Sequence, residues 1–141
     1  MQMNVKAYLG QAYRIDQRIN SKIEQVVALR ELATKATSTL KDTPKGKNHN
    51  NHSMEAVIVK MADLEAEINR DIDTLLDLKK ELITVIKQIS NPEYQTLLEL
   101  RYLCFKTWEQ IAVDMGYGLR YIHKLHGRAL ENCNIKLQRG H

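Results

Sequence analysis

Two heptad-spaced apolar stripes, parted by a stretch with no apolar period, restrict the fold of this 141-residue chain more than any other feature. Over residues 4–40, alternating steps of four and three pick out Tyr8, Ala12, Ile15, Ile19, Lys22, Val26, Leu29, Ala33, Ala36 and Leu40. Over residues 54–90 the same steps pick out Val57, Met61, Leu64, Ile68, Asp71, Leu75, Leu78, Leu82, Val85 and Ile89. A stripe this narrow is the seam of a coiled coil, and each helix would run roughly 55 Å at 1.5 Å per residue. Residues 41–53, KDTPKGKNHNNHS, read as a polar loop, with Ser53 placed to cap the second helix. The loop can close an antiparallel hairpin, because closure entropy grows slowly with length.

One charged residue interrupts each stripe, Lys22 in the first and Asp71 in the second. In an antiparallel hairpin Lys22 falls level with Leu75, about one turn from Asp71, and the two are expected to meet across the seam and fix its register. Charge favours the same pairing. Residues 1–53 carry nine basic and four acidic side chains, while residues 54–90 carry five basic and eight acidic. Pairing between chains is an alternative that the stripes leave open.

Ser90-Asn91-Pro92-Glu93 marks a boundary, with Asn91 as N-cap and Pro92 at the first helical position. A helix is expected over Pro92–Phe105, with Tyr94, Leu97, Leu98, Arg101, Tyr102 and Phe105 forming an amphipathic set. The stretch TWEQIAVDMGYGLRYIHKLHGRALENC, Thr107 to Cys133, follows. Thr107 and Gln110 have capping-box spacing, and Trp108, Ile111, Ala112 and Met115 share one face of a short helix. Gly116-Tyr117-Gly118 breaks that helix, and a second begins at Leu119 with Ile122, Leu125, Ala129, Leu130 and Cys133 at helical spacing. Its remaining face holds Arg120, Tyr121, His123, Lys124, Gly127 and Arg128, as in a helix-turn-helix that lays its second helix in the DNA major groove. Three short helices can close a core around Leu97, Leu98, Leu100, Trp108, Ile111, Ile122, Leu125 and Leu130. About 45 residues are marginal alone, so this unit is expected to dock on the hairpin. Trp108 reads as core rather than as a ligand stack, and His126 as half-buried at best, packing or bonding locally rather than doing chemistry.

The expected fold is therefore all-α: a long antiparallel helical hairpin over 1–90, then a small three-helix helix-turn-helix domain over 91–141. Composition agrees, with 43% hydrophobic and 27% charged residues and only two prolines. The net charge is +4, and from Leu119 onward five basic side chains face one acidic one. Positive charge thus gathers at the proposed reading helix, as nucleic-acid binding requires.

The residues do not suggest an enzyme. Carboxylates such as Asp63, Glu67, Asp73 and Glu81 read as a solvated helix face, and there is no glycine-rich phosphate loop. His49 and His52 lack the further ligands a metal site needs. No catalytic residue, metal or cofactor is expected. Two cysteines inside predicted helices, no signal peptide and no membrane-length apolar run predict a reduced, intracellular protein.

The run Leu97-x-x-Leu100-Arg101-Tyr102, Trp108-x-x-Ile111-Ala112-x-x-Met115-Gly116-Tyr117 and Ile122-x-x-Leu125-His126-x-x-Ala129-Leu130 is similar to region 4 of sigma-70-type factors. With the long N-terminal hairpin, the chain resembles phage transcriptional regulators of the ArpU and RinA type. The motif covers roughly residues 94–133. The resemblance implies a sequence-specific regulator of phage or prophage late genes, with double-stranded DNA and host RNA polymerase as partners. It places DNA reading at Leu119, Arg120, Tyr121, His123 and Lys124, with Arg128 near a phosphate. The chain departs from the pattern at Gly118, where relatives carry a capping Ser, and at Leu119, where they carry a polar residue. Two other readings remain at this point. One is a small terminase-like DNA-packaging protein. The other is a coiled-coil interaction module that does not bind DNA. Homo-oligomers are compatible with all three.

Overall fold

In the computed structural model, the backbone is described for residues 4–42 and 47–139 and side chains for 4–36, 54–134 and 137. Among these residues the fold is all-α, with six helices and no strand. They are α1 (Val5–Leu9), α2 (Gln11–Asp42), α3 (Lys47–Lys87), α4 (Pro92–Tyr102), α5 (Trp108–Met115) and α6 (Leu119–Arg139).

The long helices differ from the sequence expectation at their ends. The first is broken at Gly10: α1 starts on an Asn4 cap, whose side chain accepts the Ala7 N–H at 2.7 Å, and stops at Leu9. The hydrogen bond from Arg14 N–H to Gly10 C=O is stretched to 3.4 Å. The expected loop 41–53 is shorter than its composition suggests. Lys41 and Asp42 end α2, and Lys47 to Ser53 belong to α3, so Ser53 is no cap. Extending a formed helix fixes one residue per hydrogen bond gained, so helix persists after its apolar stripe has ended. Residues 43–46, and the side chains of His49 and His52, lie outside the described residues.

The chain divides into two compact units, Met1–Ile15 with Leu75–His141, and Asp16–Thr74. In the second, Ile19, Val26 and Leu64 are buried in an antiparallel seam, and Lys22 meets Asp71 there at 2.6 Å. Arg30 approaches Glu65 at 4.0 Å, so position rises along α2 as it falls along α3.

The first unit has one continuous core. Val5, Leu9 and Ala12 join Leu82 and Ile86 of α3, Ile89 just after it, Leu97, Leu98 and Tyr102 of α4, Ile111 and Ala112 of α5, and Ile122, Leu125, Ala129 and Cys133 of α6. α6 packs on α1, α4 and α5. The packing thus divides elsewhere than the 90/91 boundary read from the sequence: the open end of the hairpin supplies apolar area that three short helices lack. Leu100, Trp108 and Leu130, expected in the core, are only partly buried against it, while Ala129 and Cys133 are fully buried on α6 together with the expected Ile122.

Candidate nucleic-acid interface

Local sequence sets the geometry of the helix-turn-helix. Thr107 accepts the Gln110 N–H at 3.2 Å, and the Gln110 side chain accepts the Thr107 N–H at 2.9 Å, a complete capping box. α5 ends at Gly116, which takes φ 74°, a left-handed value that costs an L-residue about 1–2 kcal/mol. Gly116 N–H bonds to Val113 C=O at 3.2 Å and Tyr117 N–H to Ala112 C=O at 3.0 Å, the paired bonds of a Schellman stop. Gly118 then precedes α6, and its carbonyl takes the Ile122 N–H at 3.1 Å. With no side chain, Gly118 leaves the first α6 amides without a side-chain cap.

α6 is strongly two-faced. Ile122, Leu125, His126, Ala129 and Cys133 face the core, and Leu119, Arg120, Tyr121, His123, Lys124, Gly127 and Arg128 are exposed. Arg120, Lys124 and Arg128 recur every fourth residue and so form one row along the helix. Among the described residues none of the three belongs to an ion pair.

The other proposed reading residues are braced. Tyr121 meets Tyr117 edge-on, with ring centroids 4.7 Å apart. Tyr117 in turn donates its hydroxyl to Glu93, and that hydrogen bond raises its phenol above the ordinary tyrosine range. His123 lies against Trp108 at 5.1 Å. Trp108, half-buried, also receives the Arg101 guanidinium at 4.3 Å and the edge of His126 at 4.5 Å. Arg101 donates to the Lys106 carbonyl at 2.9 Å, which ties the turn before α5 to α4. Neither Trp108, Arg101 nor Tyr117 was singled out by the sequence as part of this surface. The contacts join residues up to 24 apart with no shared period, so no local pattern signals them.

Two expectations near the interface are corrected. The helix read as Pro92–Phe105 stops at Tyr102, and Phe105 adopts φ 59°. That unfavourable backbone is accompanied by ring contacts: Tyr13 lies edge-on at 5.6 Å and the Lys79 ammonium 4.7 Å above the ring. His126 is buried, with 7% of its surface exposed, rather than half-buried. Its Nε2 lies 2.7 Å from the Tyr102 hydroxyl, so the ring has a polar partner inside the core. Burial, with smaller contributions from Lys6, Arg101 and His123, lowers the imidazole to about 4, and burial pushes the Tyr102 phenol up to about 12. Both groups are neutral near pH 7 and form a structural pair under α6.

Among the described residues no group of three or more His, Cys, Asp or Glu side chains could hold a metal ion, and no helix is long and apolar enough to cross a membrane. Cys104 is exposed and Cys133 buried, and neither is in a disulfide. Compared with protein-family models, curated proteins and solved structures, the chain matches none of them. The resemblance to sigma region 4 rests on the motif residues alone.

Proposed function

We propose that the protein binds double-stranded DNA by laying α6 in the major groove, and that it regulates transcription of phage or prophage genes together with a bacterial RNA polymerase. The observation that carries the first part is the exposed row Arg120, Lys124 and Arg128, in no ion pair among the described residues, on the second helix of a helix-turn-helix with a complete Schellman turn. Arginine and lysine on such a face donate to guanine O6 and N7, or to phosphates. Tyr121 and His123 flank the row on braced rings that lose little freedom on contact. Leu119, 41% exposed at the start of α6, is placed to touch a thymine methyl. The second part of the reading, phage gene control with polymerase, rests on the resemblance to ArpU- and RinA-type regulators.

Footprinting on DNA of the source genome, with and without RNA polymerase at stated salt, tests both parts. A discrete protected site that strengthens with polymerase is the expected result. A discrete site indifferent to polymerase would keep DNA binding and remove the polymerase partnership. Binding without sequence preference would favour a packaging role, and no binding would end the DNA reading.

A further inference from the structure

Glu93 stands at the capped start of α4. Asn91 Oδ1 accepts its N–H at 2.9 Å, and Pro92 at the first helical position restricts the backbone just before it. Its carboxylate accepts the hydroxyl of Tyr117, 24 residues on in the turn of the helix-turn-helix. Tyr117 is thereby held at both ends, by its N–H to Ala112 C=O at 3.0 Å in the Schellman stop and by its hydroxyl to Glu93. A hydrogen bond to a carboxylate is stronger than one between neutral groups. The same bond raises the phenol above the ordinary tyrosine range, so the hydroxyl is there to donate at neutral pH. Tyr121 lies edge-on to this fixed ring at 4.7 Å with 62° between the planes, a geometry that aromatic pairs prefer. A chain of contacts thus runs from a helix cap on α4 to the first turn of α6.

The carboxylate needs a reason to be there. Tyr121, 38% exposed, follows Arg120 on the face of α6 that also carries Lys124. A negative charge one ring away from a surface that meets phosphates is repelled by them and costs affinity. We infer that Glu93 and Tyr117 are positioning residues for sequence reading: they hold the Tyr121 ring in one orientation and so set the preference at the base pair that Tyr121 meets. This rests on the DNA reading proposed above. Fixing the ring before contact removes an ordering cost of binding, and it denies the ring the other rotamers that would suit a second base. The carboxylate therefore gives up some affinity for every sequence and gains discrimination at one position.

Selection from a pool of randomised duplexes with the full chain, followed by sequencing of the bound fraction, tests this. Tyr117→Phe keeps both rings and removes only the hydroxyl. It should melt as the wild type and lower discrimination at one base pair by about 2- to 12-fold, the range for releasing one side chain. That base pair should be the one at which Tyr121→Ala also loses preference, with the other positions unchanged. Glu93→Ala should flatten the same position. Glu93→Gln, whose amide oxygen still accepts the phenol, should keep the wild-type profile and bind every duplex more tightly. Wild-type profiles in Tyr117→Phe and Glu93→Ala would overturn the proposal and leave α6 as a DNA reader. Equal loss at every position with a lower melting temperature would make the contact purely structural and overturn it too. A wild-type chain that enriches no sequence would remove the DNA reading itself, and this proposal with it.

Discussion

Lys22 Nζ and Asp71 Oδ2, on opposite helices, lie 2.6 Å apart in the seam of the hairpin, with side chains only 15% and 19% exposed. Glu67 stands a turn away at 3.8 Å from the same ammonium. The hydrogen bond from Lys22 holds the Asp71 carboxyl below its ordinary value. Removing one partner leaves the other charge largely covered in the seam. Lys22→Met and Asp71→Leu should therefore each cost about 1–3 kcal/mol. The double variant should recover most of that loss, and the cycle should show a coupling energy of about 1 kcal/mol in urea titrations. Because the folded carboxyl titrates lower than the unfolded one, the pair's contribution is complete above about pH 4 and is lost as pH falls through the lowered value. Additive single variants would show that the contact does not set the register.

Leu82 is fully buried in the core that the hairpin ends share with α4, α5 and α6. Leu82→Ala should destabilise the chain by about 2–5 kcal/mol. The loss should appear in near-ultraviolet signals from Trp108 on α5, although Leu82 lies on α3. A fragment of residues 91–141 should lack a cooperative thermal transition, since it leaves behind Leu9, Ala12, Leu82, Ile86 and Ile89. A sharp transition in the fragment would show that the three helices close a sufficient core by themselves.

His126 ties stability to pH. Its folded value, about 4, lies below the ordinary histidine range because burial penalises the cation. Between about pH 6.5 and 4 the unfolded chain binds the proton and the folded chain does not, so stability rises with pH across that window. The melting temperature should fall on acidification from pH 7 to 4, and less steeply in His126→Gln. Proton NMR of the His126 ring should give a midpoint near 4. A midpoint near 6.5 would mean that the ring is open to water.

The parts of the structure legible in the sequence are those that a period or a cap writes locally. The two stripes give the hairpin, the lone Lys22 and Asp71 give a cross-link, and Thr107 with Gln110 and Gly116 gives the boundaries of α5. What was missed depends on tertiary partners. Phe105 fits a helical period, yet its ring lies between Tyr13 and Lys79 and its backbone leaves the helix. His126 looks amphipathic until Tyr102, 24 residues away, supplies its hydrogen bond. The polar run Lys47–Ser53 shows no stripe, but a stripe reports packing and not helix formation. At the candidate interface the exposed face of α6 was readable, whereas the braces from Tyr117, Glu93 and Trp108 were not.

Two glycines of the helix-turn-helix should respond with opposite signs. Gly116 has φ 74°, so Gly116→Ala should destabilise by about 1–2 kcal/mol even though nothing lies within 4 Å of the added carbon. Gly127 sits inside α6 with equally open space, and Gly127→Ala should stabilise by about 1 kcal/mol. Thermal melts of both variants decide this. If the stabilised Gly127→Ala protein also loses DNA affinity, the missing side chain serves close approach to the duplex.

Arg120, Lys124 and Arg128 form one row, but their expected roles differ. Arg120 and Lys124 stand in the first two turns of α6, the part of a recognition helix that contacts base edges. Arg120→Ala and Lys124→Ala should each weaken binding to the specific site by roughly 1–3 kcal/mol and relax preference at one base pair. Arg128 lies a further turn along, where a phosphate contact is expected. Arg128→Ala should weaken binding to all sequences alike and make the slope of log K against log salt shallower by about 1. Titrations of each variant on specific and scrambled duplexes at several salt concentrations separate the two outcomes. Three variants with wild-type affinity and slope would remove α6 as the DNA-binding face.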